Sequence, residues 1–139
     1  MSNDIFGAMQ ISASGMRAQG ARLRVTSENM ANADTTGTTP GADPYRRHTI
    51  TFKNELDRSS GLDLVKVGGI QQDTKTPFEM RYIPDHPAAD ENGLVKMPNV
   101  NMLLEMMDAR EAQRSYEANL GMIEEARAMV TRTIDLLRS

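Results

Sequence analysis

Histidine is the side chain best suited to proton transfer or metal binding near neutral pH, and this sequence has two, His48 and His86. Tyr82, Asp85 and Asp90 stand close to His86, a set that would serve general acid–base work or a metal site. Pro84 and Pro87 flank the imidazole, however, and make the segment a rigid turn. The spacing matches no metal motif: there is no His-x-x-x-His pair and no cysteine to complete one. A structural turn is the reading that fits. Arg46, Arg47 and His48 form a small basic cluster that suits phosphate in principle. A net charge of −3, from 16 basic and 19 acidic residues, favours a solvated strand or a protein-contact face instead. Gly68-Gly69 has phosphate-loop composition without the Lys-Ser/Thr that such a loop needs. Ser12 and Ser14 have no histidine base in their segment, so nothing suggests a nucleophilic triad. No catalytic, cofactor or metal site is expected.

The elements around these residues are more informative. The 139 residues suffice for one domain or for a small domain with long helical arms. Residues 4–33 lack proline and read as a helix, with Asn3 or Asp4 as its cap. A 4-3-4-3 walk along it gives Ile5, Met9, Ser12, Met16, Gln19, Leu23, Thr26 and Met30, the heptad period of a left-handed coiled coil. This seam is half polar. Gly7, Gly15 and Gly20 weaken the helix and permit close approach of another backbone. Residues 34–44 are a Thr/Gly/Pro breaker cluster and read as a loop.

Residues 45–97 change period. Tyr45 to Phe52 favours β structure, Leu62 to Val67 is a short apolar run, and Phe78, Met80 and Tyr82 alternate with Glu79 and Arg81. Asn92-Gly93 is a strong turn signal. Three or four short strands are expected, as a small β insert. Residues 98–139 return to helix, capped by Asn99 or Asn101 after Pro98. Its stripe is Met102, Met106, Ala109, Ala112, Tyr116, Leu120, Ile123, Ala126, Val130, Ile134 and Leu137. The fold class is therefore α+β: long terminal helices packed as a coiled-coil-like pair, with a small β insert between them.

This pair is thin. Three of the stripe residues are alanine, the other seam is half polar, tryptophan is absent, and only three Tyr and three Phe supply large rings. Methionine, by contrast, occurs 11 times, and this flexible side chain suits adaptable helix–helix surfaces. We expect both helices to complete their burial against neighbouring chains and to be loosely ordered in the monomer. The residues expected to carry assembly are Ile5, Met9, Met16, Leu23 and Met30 on the first helix, and Met102, Met106, Tyr116, Leu120, Ile123, Val130, Ile134 and Leu137 on the second. No stretch reaches the length of a membrane span, and the first residues lack signal-peptide character.

Three segments carry a resemblance. Ile11-Ser-Ala-Ser-Gly-Met-Arg-Ala-Gln-Gly, followed by Ser27-Glu-Asn-Met-Ala-Asn-Ala-Asp-Thr-Thr-Gly37, resembles the N-terminal signature of bacterial flagellar rod and hook axial proteins. His86-Pro-Ala-Ala-Asp-Glu-Asn-Gly-Leu-Val-Lys-Met-Pro-Asn-Val-Asn101 resembles a segment that sets one proximal-rod branch apart. Met106-Met-Asp-Ala-Arg-Glu-Ala-Gln-Arg-Ser-Tyr-Glu-Ala-Asn-Leu120 resembles the C-terminal helix of that branch. One departure is Leu94, where the family usually has Tyr. The residues matching the signature are Asn29, Ala31, Asn32, Gly37, His86, Pro87, Asp90, Gly93, Pro98, Asn99 and Asn101.

The resemblance implies a structural protein, not an enzyme, that leaves through the flagellar type III export apparatus without a cleaved signal. It implies a place in the basal body, in the rod crossing the periplasm. Its implied partners are further copies of itself, the rod-base junction protein, the other proximal-rod proteins and the distal-rod protein, with no nucleic acid and no direct membrane insertion. It also implies that Asn29, Asn32 and Gly37 fix the end of the first helix and the direction of the loop. Two rival readings are a coiled-coil adaptor or secretion chaperone, which would stay in the cytoplasm, and a small enzyme using His86 and its carboxylates, which alanine at His86 would inactivate.

Overall fold

A computed structural model describes residues 2–139. The order is α1 (Ser2–Ala31), β1 (His48–Asp57), β2 (Leu62–Gln72), β3 (Glu79–Tyr82), β4 (Leu94–Met97) and α2 (Met102–Arg138). The strands form two separate two-stranded sheets, β1-β2 and β3-β4. The α+β class, with two long helices and a small β insert, is as expected. The helix ends differ in detail. α1 already includes Asn3 and Asp4, so neither is its cap, although Asp4 stays in the first turn at the positive end of the dipole. For α2 the cap is Asn101, whose Oδ1 accepts the Leu103 and Leu104 amides at 3.1 and 3.3 Å.

The chain forms two compact units. One comprises Met1–Leu23, Thr51–Gly69 and Arg110–Ser139. Its buried side chains are small: Ser12, Ser14, Ala18, Ala112 and Ala126, with Leu64 from β2. Small residues let backbones approach, which is how a chain poor in aromatics closes a seam. A Cβ on Gly15 would lie 2.8 Å from Asn119 Nδ2, and one on Gly7 would touch Leu62. Ser14 Oγ donates to Ile11 O at 2.7 Å and accepts the Val65 amide at 3.2 Å, tying α1 to β2. Gln10 and Arg22 reach Asp57 and Glu111, each at 3.3 Å.

The second unit comprises Arg24–Ile50 and Ile70–Ala109. Its apolar nucleus is Ala88, Val95 and Met97, flanked by Ile83 and Ala89. β3 and β4 pair antiparallel, with Glu79 opposite Met97, Met80 opposite Lys96, Arg81 opposite Val95 and Tyr82 opposite Leu94. This register gives the two faces of β3 their roles. Its alternation is real, but Met80 and Tyr82 point away from the face that buries Val95 and Met97, and both are exposed. The partner strand chose the face, and it chose the one that Glu79 and Arg81 share.

Candidate assembly site

The best-ordered chemistry of the second unit is a polar junction built on Asn29, near the end of α1. Asn29 is 1% exposed and uses both ends of its amide. Its Oδ1 accepts the Tyr45 hydroxyl at 2.8 Å and the His48 amide at 2.9 Å. Its Nδ2 donates to His48 O at 2.8 Å and to Glu105 Oε2 at 3.2 Å. His48 Nδ1 lies 2.7 Å from the same Tyr45 oxygen. Glu105, also 1% exposed, takes the Arg47 Nε on its other oxygen. Arg47 is further flanked by Asp73 at 3.8 Å and Asp108 at 3.9 Å. A buried carboxylate is tolerable only with such pairing.

Asn99 fastens the other side. Its Oδ1 accepts the Arg47 amide at 2.7 Å, and its Nδ2 donates to Asp73 O and Thr76 O at 3.0 and 3.1 Å. Burial, then the nearby carboxylates of Glu28 and Glu105, push the Tyr45 phenol up to about 12. Asp73 is held below the usual carboxylate range, first by the Thr76 hydroxyl and amide, then by the Lys75 amide and Arg47. Thus the end of α1, the start of β1, the turn after β2 and the first turn of α2 meet in one hydrogen-bonded junction. Sequence reasoning placed Asn29 and Asn99 among the notable residues but missed Tyr45, Glu105 and Asp73. The available signal was Glu105 itself, a lone carboxylate inside Met102-Leu-Leu-Glu-Met-Met107.

The other signature residues lie in the same unit. Exposed Ala31 ends α1. Asn32 donates to Glu28 O at 2.9 Å and accepts the Thr35 hydroxyl at 3.1 Å. A Cβ on Gly37 would lie 2.5 Å from that of Ala42. His86 has both ring nitrogens engaged, with Nε2 3.3 Å from Thr36 Oγ1 and Nδ1 accepting the Ala88 amide at 3.0 Å. It staples a turn, between exposed Pro87 and the loop after α1. Asp90 Oδ1 accepts the Asn92 and Leu94 amides, each at 2.9 Å. Gly93 has φ +78° and no room for a side chain beside Tyr82 and Pro84. Pro98 is buried just before Asn99 and the α2 cap Asn101.

The residues expected to carry assembly are placed differently. Ile5, Met9, Met16, Leu23 and Met30 are half-buried, while Ser12 and Thr26, the small polar members of that seam, are fully buried. On α2, Tyr116, Ile123 and Val130 are half-buried, and Met102, Met106, Leu120, Ile134 and Leu137 are exposed. Of the large apolar side chains expected to carry assembly, those of α1 are thus half-buried and most of those of α2 look outward. At the start of α2 the inversion is complete: Glu105 is buried, and Met102, Leu103, Leu104, Met106 and Met107 are all exposed. Exposed apolar surface of this kind is common where proteins bind partners.

The segments that carry this junction match known proteins in sequence. A model of the flagella basal body rod protein family matches residues 9–38, and one of the flagellar basal body rod FlgEFG protein C-terminal family matches residues 91–136. Asn29 lies in the first segment, and Asn99 and Glu105 lie in the second, so the junction joins the two. The flagellar basal-body rod protein FlgC of Agrobacterium fabrum is 56% identical over 132 residues, covering 95% of this chain and 94% of the relative. The chain belongs to the FlgC family. FlgC of Salmonella typhimurium is 35% identical, over 95% of this chain and 97% of its own length. FlgC of Borreliella burgdorferi is 34% identical, over 96% and 98%. As a FlgC-family chain it is a structural protein of the flagellar basal-body rod.

Proposed function

We propose that this chain is a proximal-rod subunit that polymerises helically through α1 and α2 into the torque-transmitting, export-conducting shaft between the MS ring and the distal rod. The observation that supports this reading is the outward apolar surface of α2, which the described residues leave exposed. A shaft subunit needs that surface, because each helix is finished by its neighbours and load passes through many shared side-chain contacts. The residues set out above as the assembly stripe would form those contacts. Asn29, Asn32, Gly37 and the turn from His86 to Asn101 would hold the helix ends and the 45–97 insert in fixed geometry.

Its partners would be further copies of itself, the rod-base junction protein, the other proximal-rod proteins and the distal-rod protein. It would cross to the periplasm through the flagellar export apparatus without a cleaved signal. Its role would be mechanical and not catalytic, since the geometry gives His86 a stapling task. The test is electron microscopy of basal bodies from cells lacking the chain and from cells with the gene restored. Loss of the rod beyond the MS ring, repaired by restoration, is expected. Complete rods and hooks in its absence would refute the assignment.

A further inference from the structure

The two ends of α2 carry different unpartnered surfaces. At the start, Met102, Leu103, Leu104, Met106 and Met107 are exposed around buried Glu105. At 100° per residue they span an arc of about 200°, twice the width of an ordinary core-facing stripe of about 100°. Two recesses adjoin this turn, of about 390 and 200 Å³, sharing Glu79, Pro98, Val100 and Met102 as walls. The smaller also includes Asp34, Met30 and Arg81, and Arg81 is committed to Glu79 at 3.8 Å. The smaller recess therefore has apolar walls in Met30, Met97, Pro98, Val100 and Met102 and a charged rim, where Asp34 and Glu79 outnumber Arg81. At the far end, Met129, Ile134, Leu136 and Leu137 are exposed, Leu137 by 83%. The charges there are basic in balance: Arg127, Arg132 and Arg138 against Asp135.

We infer that the last three turns of α2 of one copy dock on the start of α2 of the next, with Leu136 and Leu137 entering the recess beside Met102 and the terminal arginines facing Asp34 and Glu79. The inference rests on the polymerisation reading above and specifies one of its contacts. A patch that meets its own copy closes a two-fold dimer and stops, whereas two different patches on one chain meet head to tail and propagate. Opposite ends of one 37-residue helix, complementary in charge and both apolar, meet that requirement. The wide arc at the start leaves room for a lateral neighbour beside the axial one.

The chain has no cysteine, so engineered pairs report contacts without background. Leu103→Cys with Leu137→Cys, and Met102→Cys with Leu136→Cys, replace the native chain in cells, and isolated basal bodies are oxidised. Each pair sits at opposite ends of one helix, so any disulfide is intermolecular. Dimers and higher multiples are expected from the double variants, and monomers from each single variant. Intact rods yielding only monomers from both pairs would overturn the contact and leave the rod assignment standing. Complete rods without the chain would overturn the assignment itself. Should the paired cysteines block rod formation, a peptide of residues 127–139 is titrated into the purified chain. Saturable binding weakened about 2–5-fold by Glu79→Arg, the worth of an exposed charge pair, is the expected result, and no binding would overturn the inference.

Discussion

Asn29→Ala tests whether the polar junction holds the second unit together. The native amide makes four hydrogen bonds: two to its oxygen from Tyr45 and the His48 amide, and two from its nitrogen to His48 O and Glu105. Tyr45 retains His48 Nδ1 at 2.7 Å as a partner, so three groups are orphaned: the His48 amide, the His48 carbonyl and one oxygen of Glu105. At about 0.5–1.5 kcal/mol per net hydrogen bond, the loss is about 2–4 kcal/mol. That is a large share of the roughly 5–15 kcal/mol that stabilises an ordinary domain. The assay is urea unfolding followed by far-ultraviolet circular dichroism, where the midpoint falls and the slope is unchanged. Asn29→Asp sharpens the test. It keeps the shape but sets a carboxylate where Nδ2 stands 3.2 Å from Glu105 Oε2, so it is as damaging near neutral pH and recovers stability as acid protonates the pair. A loss below about 0.5 kcal/mol for alanine, within the range of an ordinary surface substitution, would refute the view that this junction organises the unit. So would an aspartate variant as stable as the native chain near neutral pH.

Other perturbations probe separate features. Ile123→Asp puts a charge on the half-buried middle of the α2 stripe and is expected to abolish rods while the chain is still exported into the medium. Motile cells with normal rods would contradict it. Gly93→Ala forces φ +78° on a residue with a Cβ and drives that atom to 2.8 Å from Tyr82, costing about 1–2 kcal/mol in backbone strain alone, read as a lowered melting temperature. Because the folded chain holds the Tyr45 proton more tightly than the unfolded chain, native stability falls as pH rises from 10 towards 12. Tyr45→Phe is less stable near neutral pH, having lost the hydroxyl bonds, and its denaturation midpoint loses that part of the alkaline decline. An unaltered alkaline decline would place the phenol outside the junction.

What the sequence made legible was local. The long proline-free helices, the breaker cluster before the insert, an asparagine cap soon after Pro98 and Asn92-Gly93 as a turn all follow from residue type and nearest-neighbour spacing. What escaped was set at a distance. Glu105 is buried because Arg47, 58 residues away, and Asn29, 76 residues away, converge on it, and no periodicity along α2 reports that convergence. The alternation in β3 located a strand but not its inward face, since the face was decided by Val95 and Met97 across the pairing. The choice between Asn99 and Asn101 as cap was undecidable from sequence. Both sit at the same boundary, and only the loop carrying Asp73 and Thr76 gives Asn99 its own task.

The same segment bears on how a unit with so small a core can have a definite geometry and still offer surface for association. Within Met102-Leu-Leu-Glu-Met-Met107 the charged residue turns inward and the apolar residues turn outward, the reverse of a helix on a self-sufficient domain. An inward ion pair adds little net stability compared with apolar packing, but it accepts only one geometry of donors, so it fixes how the end of α1 and the start of α2 meet. The apolar surface displaced from the interior is then available to neighbours, and under the proposed assembly its burial would stabilise the chain only when copies come together, as mass action requires. Replacing Glu105 with leucine would therefore act oppositely on the two levels. It would exchange a geometric lock for an apolar contact inside the unit and leave Arg47 short of its nearest carboxylate. The outward surface would remain, but the helix presenting it would no longer be held at one angle. Such a chain should still associate, and its assemblies should lack the single helical order of a rod.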